Sequence, residues 1–271
     1  MMTQIPHNKD PKQILQGIGC FALDLDGTIY LGDDWIPGAR GFLKRIKETG
    51  RRYAFITNNS SKSRRDYLKK LAAMGLLVDD SELVTSGEAA VSYVKTMFPR
   101  KRVFLMGTES LAGEFTEAGI ILDNKSPELV VTAYDTSLTY EKLCMACNFI
   151  NAGLAFIATH PDITCPSQTG YIPDIGSFHA LIEAVTGRRP DVVIGKPGRE
   201  IIGYMLKKTG AGAQRTAIVG DRLYTDVAAG INNSLTAVLV LSGEAALKDA
   251  YESDIKPHLI FDSVKDMIPY L

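Results

Sequence analysis

The stretch Cys20-Phe21-Ala22-Leu23-Asp24-Leu25-Asp26-Gly27-Thr28 constrains this chain more than any other, because an apolar run enters two carboxylates and a glycine turn without a polar break. A short continuous apolar run bounded by a turn reads as a buried strand. Carboxylates at the end of such a strand lose hydration, and a cation or a set of hydrogen-bond donors must replace it. A hard ion such as Mg²⁺ has the right chemistry.

The rest of the chain repeats the pattern of strand, turn and helix. Pro37-Gly38 opens a helix that Gly50 closes, and Tyr53 to Ile56 forms a second buried strand. That strand ends in Thr57-Asn58-Asn59-Ser60-Ser61, leading into a helix from about Lys62 to Met74. Hydroxyls and backbone N–H groups at a helix N-terminus make an anion site. Further strands follow at Leu83 to Gly87, Val103 to Gly107, Leu129 to Ala133 and Ala155 to Thr159, with helices around Leu111 to Ala118 and Tyr140 to Asn151. The last third supplies Val192 to Pro197, a helix from about Arg199 to Thr209, and Thr216 to Asp221, a second strand that ends on an acid. Asp226 lies in the turn beyond it, and Thr236 to Leu241 and Leu259 to Phe261 are the final strands. Such alternation implies an α/β fold with a doubly wound, mostly parallel sheet and a ligand site at the strand C-terminal ends.

Composition narrows the partners. Thirty Lys and Arg nearly balance thirty-one Asp and Glu, so no polyanion-binding surface is indicated and a small substrate is expected rather than nucleic acid. The polar segment Met1 to Lys12 lacks the apolar core of a signal peptide, and no run approaches membrane-spanning length; the expectation is a soluble, cytoplasmic protein without a membrane partner. Cys20, Cys144, Cys147 and Cys165 are too scattered for a disulfide framework, and the Cys144/Cys147 pair falls inside a helical stretch with no second pair to complete a zinc site.

Four groups therefore recur at expected strand ends: Asp24 with Asp26, Thr57, Lys196, and Asp221 with Asp226. Carboxylates can hold Mg²⁺, a lysine and a hydroxyl can hold phosphoryl oxygens, and a carboxylate can attack phosphorus. Each motif alone has an ordinary reading as a surface turn, a helix cap or a solvated lysine. A calcium loop is excluded for Asp24-x-Asp26-Gly27, since its twelfth position is Trp35 and not glutamate.

In order, Asp24-Leu25-Asp26-Gly27-Thr28, Thr57-Asn58-Asn59, Ile194-Gly195-Lys196-Pro197 and Gly220-Asp221-Arg222-Leu223-Tyr224-Thr225-Asp226 resemble the four motifs of the haloacid dehalogenase (HAD) phosphatase superfamily. The Thr-Asn-Asn and Gly-Lys-Pro elements, with a long insertion between them, are similar to the NagD and p-nitrophenyl phosphatase subfamily. The resemblance implies a Mg²⁺-dependent phosphomonoesterase acting on a small phosphorylated metabolite such as a nucleotide monophosphate, a sugar phosphate or phosphoglycolate. It makes Asp24 the nucleophile, Asp26 the acid and base, and Thr57 and Lys196 binders of the phosphoryl group, with Asn58, Asn59 and Gly27 beside them. Mg²⁺ would be held by Asp24, the Asp26 backbone carbonyl and Asp221, with Asp226 positioning the lysine or a metal-bound water.

The same resemblance divides the chain into a discontinuous catalytic core, residues 1–83 and 186–271, and an inserted smaller α/β cap, residues 84–185, that reads the leaving group. His160-Pro161-Asp162 stands where relatives commonly have Asn-Pro-Asp, so His160 and Asp162 are candidate substrate contacts, with Tyr171 to Ser177 as the other side of that pocket. Apolar helical faces on the cap offer a homodimer surface. Phosphotransfer to another alcohol is the nearest alternative. A signalling receiver also holds an aspartyl-phosphate, but it needs neither Asp26 nor the insertion, and a dehalogenase usually lacks the second acid.

Overall fold

The computed structural model describes residues 10–167 and 170–271, so residues 1–9 of the N-terminal segment lie outside the described residues. The chain divides into two compact units, one of residues 1–57, 79–83 and 196–271, the other of residues 58–78 and 84–195.

The first unit is built on a six-stranded sheet in the order Leu259–Phe261, Thr236–Val240, Thr216–Gly220, Cys20–Leu23, Arg52–Thr57, Leu83–Thr85. Cys20–Leu23 pairs in parallel with Thr216–Gly220 on one side and with Arg52–Thr57 on the other. Every residue of Cys20–Leu23 and of Thr216–Gly220 is buried, which is why both read in sequence as unbroken apolar runs. The strand order reverses direction at Cys20–Leu23, so the residues just past its C-terminus lie at the switch point where doubly wound sheets bind ligands.

Helix Ala39–Glu48 packs Phe42, Leu43 and Ile46 inward, with Phe21 edge-on to Phe42 at 6.0 Å between ring centroids. Left-handed Gly38 (φ 85°) begins it and left-handed Gly50 (φ 71°) follows it, as the Pro37-Gly38 and Gly50 signals require. Arg199–Thr209 is a helix with left-handed Gly210 beyond its end.

The second unit has its own four-stranded sheet, in the order Val192–Val193, Ala155–Ala158, Leu129–Thr132, Val103–Met106, parallel throughout. Phe104, Val130, Phe156, Cys147, Ile150 and Ile182 form its core, so Cys147 is a buried packing residue on helix Tyr140–Asn151. Thr164–Ser167 and Gly170–Pro173 pair as antiparallel strands. The unit extends to Gly195 because Val192–Val193 pairs with Ala155–Ala158, and it takes in helix Arg64–Ala73 because that helix is bonded to helix Glu109–Glu117. Ser63 N donates to Ser110 Oγ (3.1 Å), Arg64 N donates to Glu114 Oε2 (3.2 Å), and Arg65 Nη2 meets Glu117 Oε1 at 2.6 Å. Ser63 and Asp66 close a reciprocal capping box at its start. Among the described residues no helix is long and apolar enough to cross a membrane.

Candidate active site

In the first unit, three parallel strands end side by side and each delivers part of one cluster. Asp24 follows Cys20–Leu23 and is still held in the sheet, its N–H donating to Val219 O at 2.9 Å. Asp221 follows Thr216–Gly220, and Thr57 closes Arg52–Thr57. Lys196 is the fourth member, a lysine with its side chain only 2% exposed. Its Nζ donates to Asp24 Oδ1 (2.5 Å), Asp226 Oδ1 (2.7 Å) and Ile56 O (3.1 Å), so all three ammonium protons are used. Asp24, Asp221 and Asp226 each offer an oxygen within 4.8 Å of the others.

The aim of Asp226 comes from the backbone. Leu223–Val227 is a single π-turn in which Val227 N donates to Arg222 O (3.1 Å), ahead of helix Ala228–Asn232. Asp226 Oδ2 accepts from Arg222 N (3.1 Å), leaving Oδ1 for Lys196. Gly220 makes room, since a Cβ there would overlap the Asp226 carboxyl.

Electrostatics shows what the cluster lacks. Burial pushes Asp24 well above the usual carboxylate range; Lys196 opposes this, while the charges of Asp226 and Asp221 add to it. Burial, then the Asp226 charge, pushes Asp221 up to about 7. Burial alone would lower Lys196, but Asp226 and Asp24 outweigh it and its pKa is raised. Three carboxylates thus face one ammonium. Asp221 Oδ2 accepts from Glu244 N (2.7 Å), whereas Asp221 Oδ1 is buried and accepts no hydrogen bond among the described residues. An excess of buried negative charge and an oxygen acceptor left over fit a hard divalent cation.

Asp26 is half-buried, and Tyr30 OH lies 3.4 Å from its Oδ2. Gly27 holds φ 84° and donates its N–H to Tyr30 O (2.7 Å), so the turn that follows the two acids is pinned by Tyr30. Sequence reasoning missed Tyr30; its place two residues after the Gly27-Thr28 turn was the available signal.

The second unit brings together a different set. Asn58 Nδ2 donates to Asp162 Oδ1 (2.9 Å), and its carbonyl accepts from Ser86 Oγ (2.5 Å). His160 is fully buried, with Nδ1 3.8 Å from Asp162 Oδ2 and Nε2 3.6 Å from Asp174 Oδ1. Asp174 lies in the Tyr171 to Ser177 stretch expected on the other side of the His160 pocket, and it caps helix Ile175–Thr186 through Ile175 N. Asn59 Oδ1 accepts from Ser61 N (3.0 Å) and Ser61 Oγ (2.7 Å), which stiffens the loop instead of presenting a free amide oxygen.

Residues 21–121 match the haloacid dehalogenase-like hydrolase family model, and residues 193–267 match the HAD-hydrolase-like model. An acid sugar phosphatase of Staphylococcus aureus (strain MRSA252) is 32% identical over 252 residues, which is 93% of this chain and 97% of that protein. The structure of a 4-nitrophenylphosphatase from Thermotoga maritima superposes with a TM-score of 0.92 at 43% identity, covering 94% of this chain and 98% of the other. A p-nitrophenyl phosphatase from Archaeoglobus fulgidus gives 0.89 at 33% identity (94% and 99% covered), and NagD from E. coli K-12 gives 0.83 at 32% (92% and 98%). With the acids, the lysine and the parallel sheet in the order that the four motifs require, this chain belongs to the haloacid dehalogenase-like hydrolases.

Proposed function

We propose that this protein is a Mg²⁺-dependent phosphomonoesterase that hydrolyses small organic phosphate esters through an aspartyl-phosphate on Asp24. The observation that carries this reading is the Lys196 ammonium, buried between Asp24 and Asp226 at 2.5 and 2.7 Å at the end of the nucleophile's own strand. A carboxylate beside a fixed cation and outside the C-terminal end of a parallel sheet is built to meet a phosphoryl group.

In the proposed reaction Asp24 attacks phosphorus and the P–O bond to the leaving alcohol breaks, while Asp26 gives that oxygen a proton. Asp26, now a carboxylate, takes a proton from water, which attacks the acyl-phosphate and releases inorganic phosphate and free Asp24. Lys196 holds a phosphoryl oxygen as charge builds there, and Thr57 supplies a hydroxyl from the neighbouring strand end. Asp24, Asp221 and the Asp26 carbonyl are the groups that would hold Mg²⁺, an ion that the family generally uses and that would neutralise the charge of the reacting phosphate. Asp226 keeps Lys196 in place.

Residues 84–185 are proposed as the cap that reads the leaving group, on the support of a parallel sheet with a core of its own, and residues 1–83 and 186–271 as the catalytic core; the compact unit that carries the cap sheet is wider, residues 58–78 and 84–195. His160, Asp162, Asn58, Asn59 and Gly27 complete the proposed substrate contacts. The relatives named as acid sugar phosphatase and p-nitrophenyl phosphatase favour sugar phosphates and aryl phosphates as the first substrates to try.

The test is phosphate release from a panel of phosphorylated sugars, nucleotides, phosphoglycolate and p-nitrophenyl phosphate, with Mg²⁺ and with chelator. Turnover of several esters that chelator stops and Mg²⁺ restores is the expected result. A panel with no turnover, or turnover indifferent to chelator, contradicts the proposal.

A further inference from the structure

The two parts of the first unit proposed to hold Mg²⁺, the Asp24–Gly27 turn and Asp221, are far apart in sequence and come from different strands. One short turn touches both. After strand Thr236–Val240 the chain runs through Leu241-Ser242-Gly243-Glu244-Ala245. Ser242 Oγ donates to Gly27 O at 2.7 Å, and Glu244 N donates to Asp221 Oδ2 at 2.7 Å. Ala245 N donates to Asp221 O at 3.1 Å, so both the side chain and the backbone of Asp221 are held. The Glu244 carboxylate reaches Arg222 Nε at 3.0 Å and ties down the residue next to Asp221 as well.

Close packing reinforces these bonds. A Cβ on Gly243 would overlap the Asp221 carboxyl, and one on Gly27 would stand 2.5 Å from Asp221 Oδ2 and 3.1 Å from the Gly243 Cα. Gly27, Asp221 and Gly243 are therefore packed against one another with no room for a further side chain. The turn occupies Asp221 Oδ2, and among the described residues the buried Oδ1 has no hydrogen-bond partner.

We propose that the Ser242–Ala245 turn is a clasp that fixes the Asp221 carboxylate and the Gly27 turn in one arrangement, with Ser242, Gly243 and Glu244 as positioning residues for the cation. The inference rests on the reading of Asp24 and Asp221 as Mg²⁺ ligands and extends it to residues that touch neither metal nor substrate. Groups that orient metal ligands typically change metal affinity by 10–100-fold when removed. Ser242 acts through a carbonyl 215 positions earlier in the chain and Glu244 through a carboxylate 23 positions earlier, so neither is tied to the site by local structure.

The test is Mg²⁺ binding to the metal-free full-length protein by calorimetry, with melting temperature measured with and without Mg²⁺. Ser242→Ala removes one hydrogen bond, and Gly243→Ala pushes on the Asp221 carboxyl. Both are expected to weaken Mg²⁺ binding by about tenfold or more, and the Mg²⁺-induced rise in melting temperature should shrink with it. Glu244→Gln keeps the backbone donor to Asp221 and should lose less affinity than Gly243→Ala. Wild-type Mg²⁺ affinity in folded Ser242→Ala and Gly243→Ala overturns the clasp, as does a lower melting temperature with affinity unchanged. Asp221→Asn separates the two levels: if it binds Mg²⁺ as wild type does, the ligand assignment itself fails.

Discussion

Lys196 Nζ lies 2.7 Å from Asp226 Oδ1, with the two side chains only 2% and 1% exposed. Breaking a buried pair from one side leaves an uncompensated charge, at a typical cost of 3–5 kcal/mol. Lys196 keeps Asp24 and the Ile56 carbonyl as partners, so Asp226→Ala should fall at the low end, about 3 kcal/mol, with loss of most activity because the ammonium is no longer aimed. Urea denaturation measures the first effect and p-nitrophenyl phosphate turnover the second. A loss under about 1 kcal/mol, the worth of an exposed pair, would show that the pair is solvated.

Asp24→Asn separates function from stability. The carboxylate is held well above its ordinary pKa by burial, so its charged form opposes folding even with Lys196 beside it. The amide removes the nucleophile without removing volume. Hydrolysis of p-nitrophenyl phosphate should drop by at least about a thousandfold, while the metal-free protein melts no lower than wild type. Undiminished turnover would sink the nucleophile assignment.

A pH effect on stability should originate outside the cluster, at Glu114. Burial pushes this carboxyl up to about 7 from 4.5, although Arg64 N donates to it at 3.2 Å. An acid whose pKa is higher in the folded state binds its proton more tightly there. Its contribution is complete below about pH 4.5 and is lost as pH rises through about 7, because the unfolded chain releases the proton first. Glu114→Gln, which keeps an acceptor for Arg64 N, should match wild type at pH 4 and exceed it at pH 8, by no more than about 3 kcal/mol. Denaturation midpoints at the two pH values decide; a variant no more stable at pH 8 means that the group titrates normally.

His160 tests the proposed cap. It is fully buried between Asp162 and Asp174, at 3.8 and 3.6 Å. His160→Asn replaces a ring that both carboxylates face with a shorter neutral amide. The expected outcome is a changed ranking among phosphorylated metabolites with a smaller change on p-nitrophenyl phosphate, read as kcat/KM across the panel. Identical rankings would assign His160 to structure alone.

Much of the first unit was legible because buried parallel strands announce themselves as apolar runs and because the acids stand directly at their ends, as Asp24 and Asp221 do. The helix beginning after Gly38 and the one starting at Arg199 could also be bounded, since glycines and prolines mark them locally. The Ser242–Ala245 turn could not be found in this way, and Tyr30 was marked only by its place just after the Gly27-Thr28 turn. Glu244 acts through its backbone N–H, a group every residue but proline carries, and Ser242 bonds a carbonyl that no periodicity links to it. His160 shows the opposite limit: its place where relatives commonly have asparagine stood out in sequence, but its contacts with Asp162 and Asp174, which lie on either side of the paired strands Thr164–Ser167 and Gly170–Pro173, are made only in the fold.

The π-turn at Leu223–Val227 carries a consequence for how this chain can change. Each residue of a helical turn advances the chain by about 100°, so the number of residues between Arg222 and helix Ala228–Asn232 sets the direction of Asp226. Removing a residue there would turn the carboxylate of Asp226 away from Lys196. A chain shortened by one residue here is therefore expected to lose turnover, because Asp226 no longer aims the Lys196 ammonium.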